Sequence, residues 1–328
     1  MILFCGIPSE PPMALAIQAA ERIGIPHLVL NQRQYAHCDL LIRLEDSHFT
    51  GSLWLEGRQW PLDAFCGIYC RLMEAGDLPE CRGRNGLQPS SASVRRAEFL
   101  NHLLCDWMDA SPPLRVVNPP SAGASNQSKP YQALQIAEAG FTIPPTLITN
   151  HPPDVTQFAV EHGQLIYKSI SSIRSIVQTF DPAANLERIR HLPTQFQKQV
   201  AGTDVRVHVI GNDVIATEIQ SDGVDYRYAA AHDDGQRTRM TAAQLPRDVS
   251  DRCIALARSM SLPFCGIDLR RTPEGDYVCF EVNPAPAYSY FQEGAGQDIA
   301  GSLVRYLAGK EESYAGDREL VRHQRPGD

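Results

Sequence analysis

The sequence predicts an α/β (α+β) protein of three lobes around a cleft, and three observations predict it. At 328 residues the chain exceeds one ordinary compact domain. It opens with a β-α-β pattern. Its C-terminal half instead carries alternating apolar and polar runs joined by short turns, the mark of hairpins.

Ile2 to Ile7 reads as a buried strand, Pro11-Pro12 starts a helix that ends at Gly24, and Leu28-Val29-Leu30 resumes the strand pattern. Ala64 to Tyr69 is a further strand. Val94 to Met108 places Leu100, Leu103, Leu104, Trp107 and Met108 on the stripe of a core-facing helix. Residues 1–117 therefore read as an N-terminal α/β lobe.

A loop rich in Pro, Ser, Gly and Asn runs from Asn118 to Ser128; Pro130 then opens a helix that Gly140 closes and Pro144-Pro145 keeps from resuming. Strands at Gln164 to Lys168 and Gln195 to Val200 flank a segment of helical character at Leu186 to His191, giving a central lobe over 118–200. From Asp204, Val205, Val207 and Val209 alternate with Arg206, His208 and Ile210, and Gly211-Asn212-Asp213 turns the chain into Val214 to Ile219. A helix at Val249 to Ser259 leads to a second hairpin, Cys265 to Arg270 and Tyr277 to Val282, which completes a lobe over 201–310. Residues 311–328 are charged and weakly apolar and read as a flexible tail.

The 38 acidic and 30 basic residues give a mildly acidic chain, and no stretch concentrates Lys and Arg enough to hold a nucleic-acid backbone. No apolar run reaches the roughly 18 residues of a spanning helix, and Met1-Ile2-Leu3-Phe4-Cys5 lacks a charged leader, so a cytoplasmic protein that engages neither membrane nor nucleic acid is expected. Nine scattered cysteines read as reduced, mostly buried thiols.

The chemistry centres on the last hairpin. A four-residue turn that pairs Arg271 with Asp276 sets Asp268 opposite Cys279 and diagonal to Glu281, so Asp268, Glu281 and Asn283 share one face. Ile267, Leu269, Val278, Phe280 and Val282 then form the other. Two carboxylates and an amide backed by an apolar face suit a hard cation such as Mg²⁺, which takes oxygen ligands. The bland alternative is a solvated outer face, against which the uncharged Pro-Ala-Pro-Ala-Tyr after Asn283 argues. Lys129, just before a helix, and Lys168, at a strand end, are able to converge on a polyphosphate only if the fold brings them together; otherwise they are ordinary surface lysines.

In order as well as kind, the chain from about Asn118 to Gly309 resembles the ATP-grasp fold in its RimK-like branch. The resemblance is carried by Ser128-Lys129-Pro130, Gly140-Phe141-Thr142-Ile143-Pro144-Pro145-Thr146, Ile166-Tyr167-Lys168, Phe196-Gln197-Lys198-Gln199-Val200, Asp204-Val205-Arg206-Val207, Gly266-Ile267-Asp268 and Phe280-Glu281-Val282-Asn283-Pro284. It implies ATP bound between the last two lobes, a small lid in the central lobe, and an N-terminal pre-ATP-grasp lobe. Lys129 and Lys168 would bind ATP phosphates, the segment Gln197, Lys198, Gln199, Val200 would read adenine through its backbone, and Asp204 would meet the ribose. Asp268, Glu281 and Asn283 would hold Mg²⁺, or Mn²⁺ in its place, and Arg206 would stabilise an acyl phosphate and the species after it.

The chain departs from the family where many relatives have a glycine-rich lid: here Ser169 to Ser175 include Ser171, Ser172 and Arg174, whose hydroxyls and guanidinium would replace bare amides, as in the serine-rich lid of graspetide-forming ligases. Lys198 stands where an acidic residue is often found. Asp225-Tyr226-Arg227 also resembles these peptide ligases, with Arg227 orienting a carboxylate or, alternatively, forming a turn-stabilising pair with Asp225. Arg71 faces the cleft or the solvent. The resemblance implies a ligase that activates a carboxylate as an acyl phosphate and joins it to an amine or hydroxyl of a peptide or amino-acid substrate, by RimK-like addition or graspetide-type closure, as monomer or homodimer. The rival readings are a nucleotide-binding module without catalysis and a small-molecule ligase of the glutathione or dipeptide type.

Overall fold

A computed structural model of the chain describes residues 1–45, 48–82, 90–111, 114–170, 177–220 and 238–310. The expected tail from Glu311 lies outside the described residues.

The first lobe contains β1 (Ile2–Gly6), α1 (Pro11–Ile23), β2 (His27–Asn31), β3 (Cys38–Glu45), β4 (His48–Leu55), β5 (Arg58–Pro61), β6 (Gly67–Cys70), α2 (Pro79–Arg82), α3 (Ser91–Asp109) and β7 (Arg115–Val117). A parallel sheet runs β2-β1-β6-β7. Its inner strand β1 is buried at every position, which is why Ile2 to Ile7 shows an apolar run and no alternation. The strand expected from Ala64 begins at Gly67, because Leu62–Ala64 form a 3₁₀ turn. The antiparallel sheet β3-β4-β5 escapes the sequence pattern: Leu40, Ile42, Leu55 and Trp60 pack on the core only in part, so apolar alternation is weak.

The middle of the chain contains α4 (Lys129–Glu138), β8 (Thr146–Thr149), α5 (Pro152–His162), β9 (Leu165–Ser169), β10 (Gln178–Thr179) and β11 (Thr194–Lys198). The sheet order is β10-β9-β11-β8, over a small core of Val155, Leu165, Phe180 and Phe196. α4 does not pack on this sheet. Its Ile136, with Phe141 beyond it, joins the core of the third lobe.

That lobe contains β12 (Thr203–Ile210), β13 (Asp213–Gln220), β14 (Arg239–Ala243), α6 (Arg247–Ser259), β15 (Phe264–Arg271), β16 (Tyr277–Asn283), α7 (Ser289–Ala295) and α8 (Ile299–Leu307). An antiparallel sheet is ordered β14-β13-β12-β15-β16. Ile210 pairs with Asp213 across a Gly211-Asn212 turn whose glycine has φ 58°, the left-handed conformation a two-residue hairpin turn requires. Val205, Val207 and Val209 pack with α6 residues Val249, Cys253 and Leu256, as their alternation predicts. The opposite face presents Asp204, Arg206, Asp268 and Arg270 to the central sheet. α7 and α8 return to the first lobe, and Phe291, Leu303 and Val304 share a core with Phe4, Met13 and Ala16.

The second hairpin differs from its expected register. Arg271 pairs with Tyr277 and Leu269 with Cys279, but Asp268 lies opposite Glu281, because a β-bulge adds one residue to β16 between these pairs. Tyr277, Cys279 and Val282 therefore face the core together with Ile267 and Leu269, whereas Phe280, expected on the apolar face, borders the cleft beside Glu281. Among the described residues no helix is long and apolar enough to cross a membrane, and all nine cysteines are free thiols, five of them buried.

Candidate active site in the cleft

Side-chain alternation on the two facing sheets builds the cleft. β12 and β15 are neighbours with Arg206 opposite Asp268 and Asp204 opposite Arg270, so acid and base fall in adjacent pairs on one face. Arg206 Nη1 lies 2.6 Å from Asp268 Oδ1, and its side chain is only 5% exposed. Its guanidinium crosses Gly266, where an added Cβ would come within 2.0 Å of Nη2, and sits 5.3 Å from the Phe291 ring centroid. Glycine at 266 is thus what lets the arginine lie flat on the sheet. Arg270 donates from Nε to Asp204 Oδ1 at 2.8 Å and from Nη1 to the Val200 carbonyl at 2.8 Å, with Cζ 5.5 Å from the Phe280 ring centroid. It therefore ties the chain leaving the central sheet to β12 and β16.

One cavity of about 730 Å³ is bordered by Lys168, Gln197, Gln199, Asp204, Arg206, Asp268, Arg270, Phe280 and Glu281, among others. A second, of about 350 Å³, brings Lys129 and Lys168 together with Glu281, Phe280, Gln195 and Gln197. The fold therefore supplies the convergence of the two lysines that their sequence positions left open. Lys168 is buried and stands opposite Gln195 in the β9–β11 pair, while Lys129 is the first residue of α4.

Gln132, one turn into α4, donates from Nε2 to the Val282 carbonyl at 2.8 Å and accepts from the Val282 amide at 2.9 Å, which joins that helix to the strand bearing Glu281. Asn283, paired with Gly266, accepts from the Ala285 amide at 3.1 Å and borders neither cavity. Asp268 and Glu281 are brought together, and Asn283 follows one pleat beyond. Among the described residues there is no group of three or more His, Cys, Asp or Glu arranged to hold a metal.

At the end of β11, Lys198 is exposed and borders neither cavity, and its amide donates to Pro145 O at 3.0 Å. The Gln199 amide donates to Gln164 O at 2.9 Å. The Lys198 and Gln199 amides are thus both engaged within the protein. Ser171, Ser172, Arg174 and Arg227 lie outside the described residues. Arg71 has a side chain only 11% exposed and borders neither cavity. It is paired with Glu10 and reaches the Pro286 carbonyl at 3.4 Å, and although burial opposes its charge, the hydrogen-bonded Glu10 carboxylate raises its pKa.

Of the residues that border the cleft, Gln195 and Phe280 were missed from the sequence, whereas Gln197 and Gln199 fall in the segment it singled out. Gln195, Gln197 and Gln199 repeat at the period of a strand, and each has a buried Oε1 without a hydrogen-bond partner among the described residues. The repeat was the available signal. Phe280 reaches the cleft only through the bulge, which no local pattern announced. His208, fully buried two residues from Arg206, has neither ring nitrogen paired among the described residues; burial, and then the Arg206 charge, lower its pKa well below the usual histidine value.

The sequence profile described as "RimK-like ATP-grasp domain" matches residues 136–307. A ribosomal protein bS6–L-glutamate ligase of Escherichia fergusonii is 25% identical over 185 residues, 52% of this chain and 60% of that protein, so the chain spans less than two thirds of the curated relative it matches. Among solved structures, the ATP-grasp ligase PsnB complexed with minimal precursor, Mg and ADP is similar at TM-score 0.73 and 25% identity, covering 94% of this chain and 96% of that one. A Chryseobacterium gregarium RiPP-associated ATP-grasp ligase in complex with ADP and a leader and core peptide gives TM-score 0.76 at 20% identity, covering 95% of this chain and 97% of that one.

Proposed function

The chain belongs to the RimK-like ATP-grasp family, and from that premise we propose that it is an ATP- and Mg²⁺-dependent ligase that joins a carboxylate to an amine or hydroxyl on a peptide substrate. The observation that carries this reading is a pair of cavities that share Lys168 and Glu281, one of them bordered also by Lys129 and the other by Asp268, which lies opposite Glu281. A polyphosphate needs cations, a hard divalent ion needs oxygen ligands, and a triphosphate with its metal needs both side by side. The residues present therefore fit nucleotide and metal. Bound ATP would supply the γ-phosphoryl group that turns a carboxylate into an acyl phosphate.

In this reading Lys129 and Lys168 hold the phosphates, Asp268 and Glu281 hold the metal with Asn283, and Gln197, Gln199, Val200 and Asp204 border base and ribose. Arg206, held flat by Gly266, Phe291 and Asp268, faces the reacting carboxylate and offsets its developing charge. Ser171, Ser172 and Arg227 are assigned, from the family resemblance, to the lid and the substrate carboxylate. Lys198, exposed and outside both cavities, contributes at most its carbonyl. The preference for peptides rests on the solved relatives, complexed with a minimal precursor in one case and a leader and core peptide in another.

The test is ADP release with ATP and Mg²⁺ against amino acids, peptides and any precursor peptide encoded nearby, comparing wild type with Glu281→Gln. Release triggered by one substrate class and reduced by on the order of 10²-fold or more in the variant is expected, with product mass naming the bond. Nucleotide binding without release for every substrate tried would instead favour a nucleotide-binding module.

A further inference from the structure

The bulge in β16 leaves a problem that Gln132 solves. β16 is the edge strand of its sheet, and an edge strand with a bulge has little to stop its register from slipping. Before the bulge, the outer edge is held by backbone: the Cys279 amide donates to Thr142 O at 2.9 Å. The next outward-facing amide is that of Val282, because the extra residue moves the alternation by one. No strand among the described residues lies there. The Gln132 side chain takes its place, accepting from the Val282 amide at 2.9 Å and donating to the Val282 carbonyl at 2.8 Å, with the glutamine 3% exposed. One amide group thus reproduces the two bonds of a neighbouring strand, at the residue between Glu281 and Asn283.

We propose that Gln132 is a positioning residue that fixes the register of β16 after the bulge, and so sets where the Glu281 and Asn283 oxygens stand relative to Asp268. This rests on the reading of the cleft as a nucleotide–metal site. α4 has other anchors in Ile136 and the Phe141 that follows it, so losing the Gln132 bonds acts on the strand rather than on the Lys129 end of the helix.

The experiment titrates AMP-PNP into the full chain by calorimetry, with and without Mg²⁺, for wild type, Gln132→Met and Gln132→Glu. Methionine fills the same space with neither bond; glutamate keeps the acceptor for the Val282 amide but sets an oxygen against its carbonyl. The expected result is that Mg²⁺ tightens binding to wild type, that this enhancement falls at least fivefold in Gln132→Met and less in Gln132→Glu, and that metal-free affinity stays within twofold. A general packing defect would weaken both titrations equally, and that outcome, or an unchanged Mg²⁺ enhancement, overturns the proposal while leaving the site reading intact. Should one variant fail to fold, the other is read by the same criterion. If wild type binds AMP-PNP without any Mg²⁺ enhancement, the metal reading of Asp268 and Glu281 falls and this proposal with it.

Discussion

The two walls of the cleft are built differently. On the C-terminal sheet the cleft-facing arginines are already engaged, Arg206 with Asp268 and Arg270 with Asp204 and the Val200 carbonyl, and beside the sheet the neutral side chain of Asn118 accepts from the Phe264 amide at 2.9 Å and donates to its carbonyl at 2.6 Å. On the central sheet Gln195, Gln197 and Gln199 each hold a buried oxygen with no partner among the described residues. A buried acceptor left unmade costs roughly 1–3 kcal/mol, so three on one strand are tolerated where something else completes them. The difference teaches that one wall is preorganised by its own side chains, whereas the other, in the proposed reading, offers its buried acceptors to a bound group.

The largest effect that would break this comparison is on the preorganised wall. Gly266→Ala places a methyl 2.0 Å from Arg206 Nη2 and 2.4 Å from Cζ, so the guanidinium has to leave the sheet surface and its bond to Asp268. A displacement of about 1 Å at a reacting group costs on the order of 10²-fold in rate, and overpacking of this kind costs about 1–3 kcal/mol of stability. Turnover down about 100-fold, with nucleotide affinity changed much less, is expected. Equal loss in both, or in neither, would mean that Arg206 does not act where its geometry aims it.

A smaller pair of effects sharpens the contrast by its sign. Arg270→Met removes the guanidinium whose Nε and Nη2 both meet Oδ1 of Asp204, a side chain only 21% exposed, and is expected to lower both stability, by about 1–3 kcal/mol, and nucleotide affinity. Gln199→Met removes a buried acceptor that has no partner among the described residues, and is expected to leave the ligand-free protein as stable or about 1 kcal/mol more so while weakening nucleotide binding. Thermal melts with and without Mg-nucleotide read both quantities at once. If Gln199→Met destabilises the free protein as Arg270→Met does, the central wall is as self-sufficient as the other.

What the sequence could show follows from the same physics. The faces of β12 were legible because Val205, Val207 and Val209 alternate without interruption, and the residues gathered at Asp268, Glu281, Lys129 and Lys168 were legible through their order along the chain. The pairing of Asp268 with Glu281 was not, since a bulge is one extra residue in an otherwise regular strand and leaves no compositional mark. Nor was the placement of α4: its helical pattern was clear, but the sheet it packs on depends on Ile136 and Gln132 meeting residues some 150 positions away. The β3-β4-β5 sheet was hidden because its half-buried strands carry little periodicity.

His208 departs from the pattern of the preorganised wall, and it yields the smallest effect. It is fully buried against the Phe264 and Phe291 rings, with no hydrogen-bond partner for either nitrogen among the described residues. Burial, followed by the Arg206 charge, depresses its pKa in the folded protein, whereas in the unfolded chain it titrates near the usual value of about 6.5. Below that value the unfolded chain takes up a proton that the folded protein refuses, so the stability present above about pH 6.5 is lost as pH falls toward the folded pKa. Linkage for one such group amounts to about 0.8 kcal/mol between pH 7.5 and 6.0. His208→Phe, which suits the aromatic neighbours, is expected to remove that share of the pH dependence in chemical denaturation, leaving a flatter profile through the same window. An identical slope in wild type and variant would mean that His208 binds its proton as readily in the folded protein as in the unfolded chain.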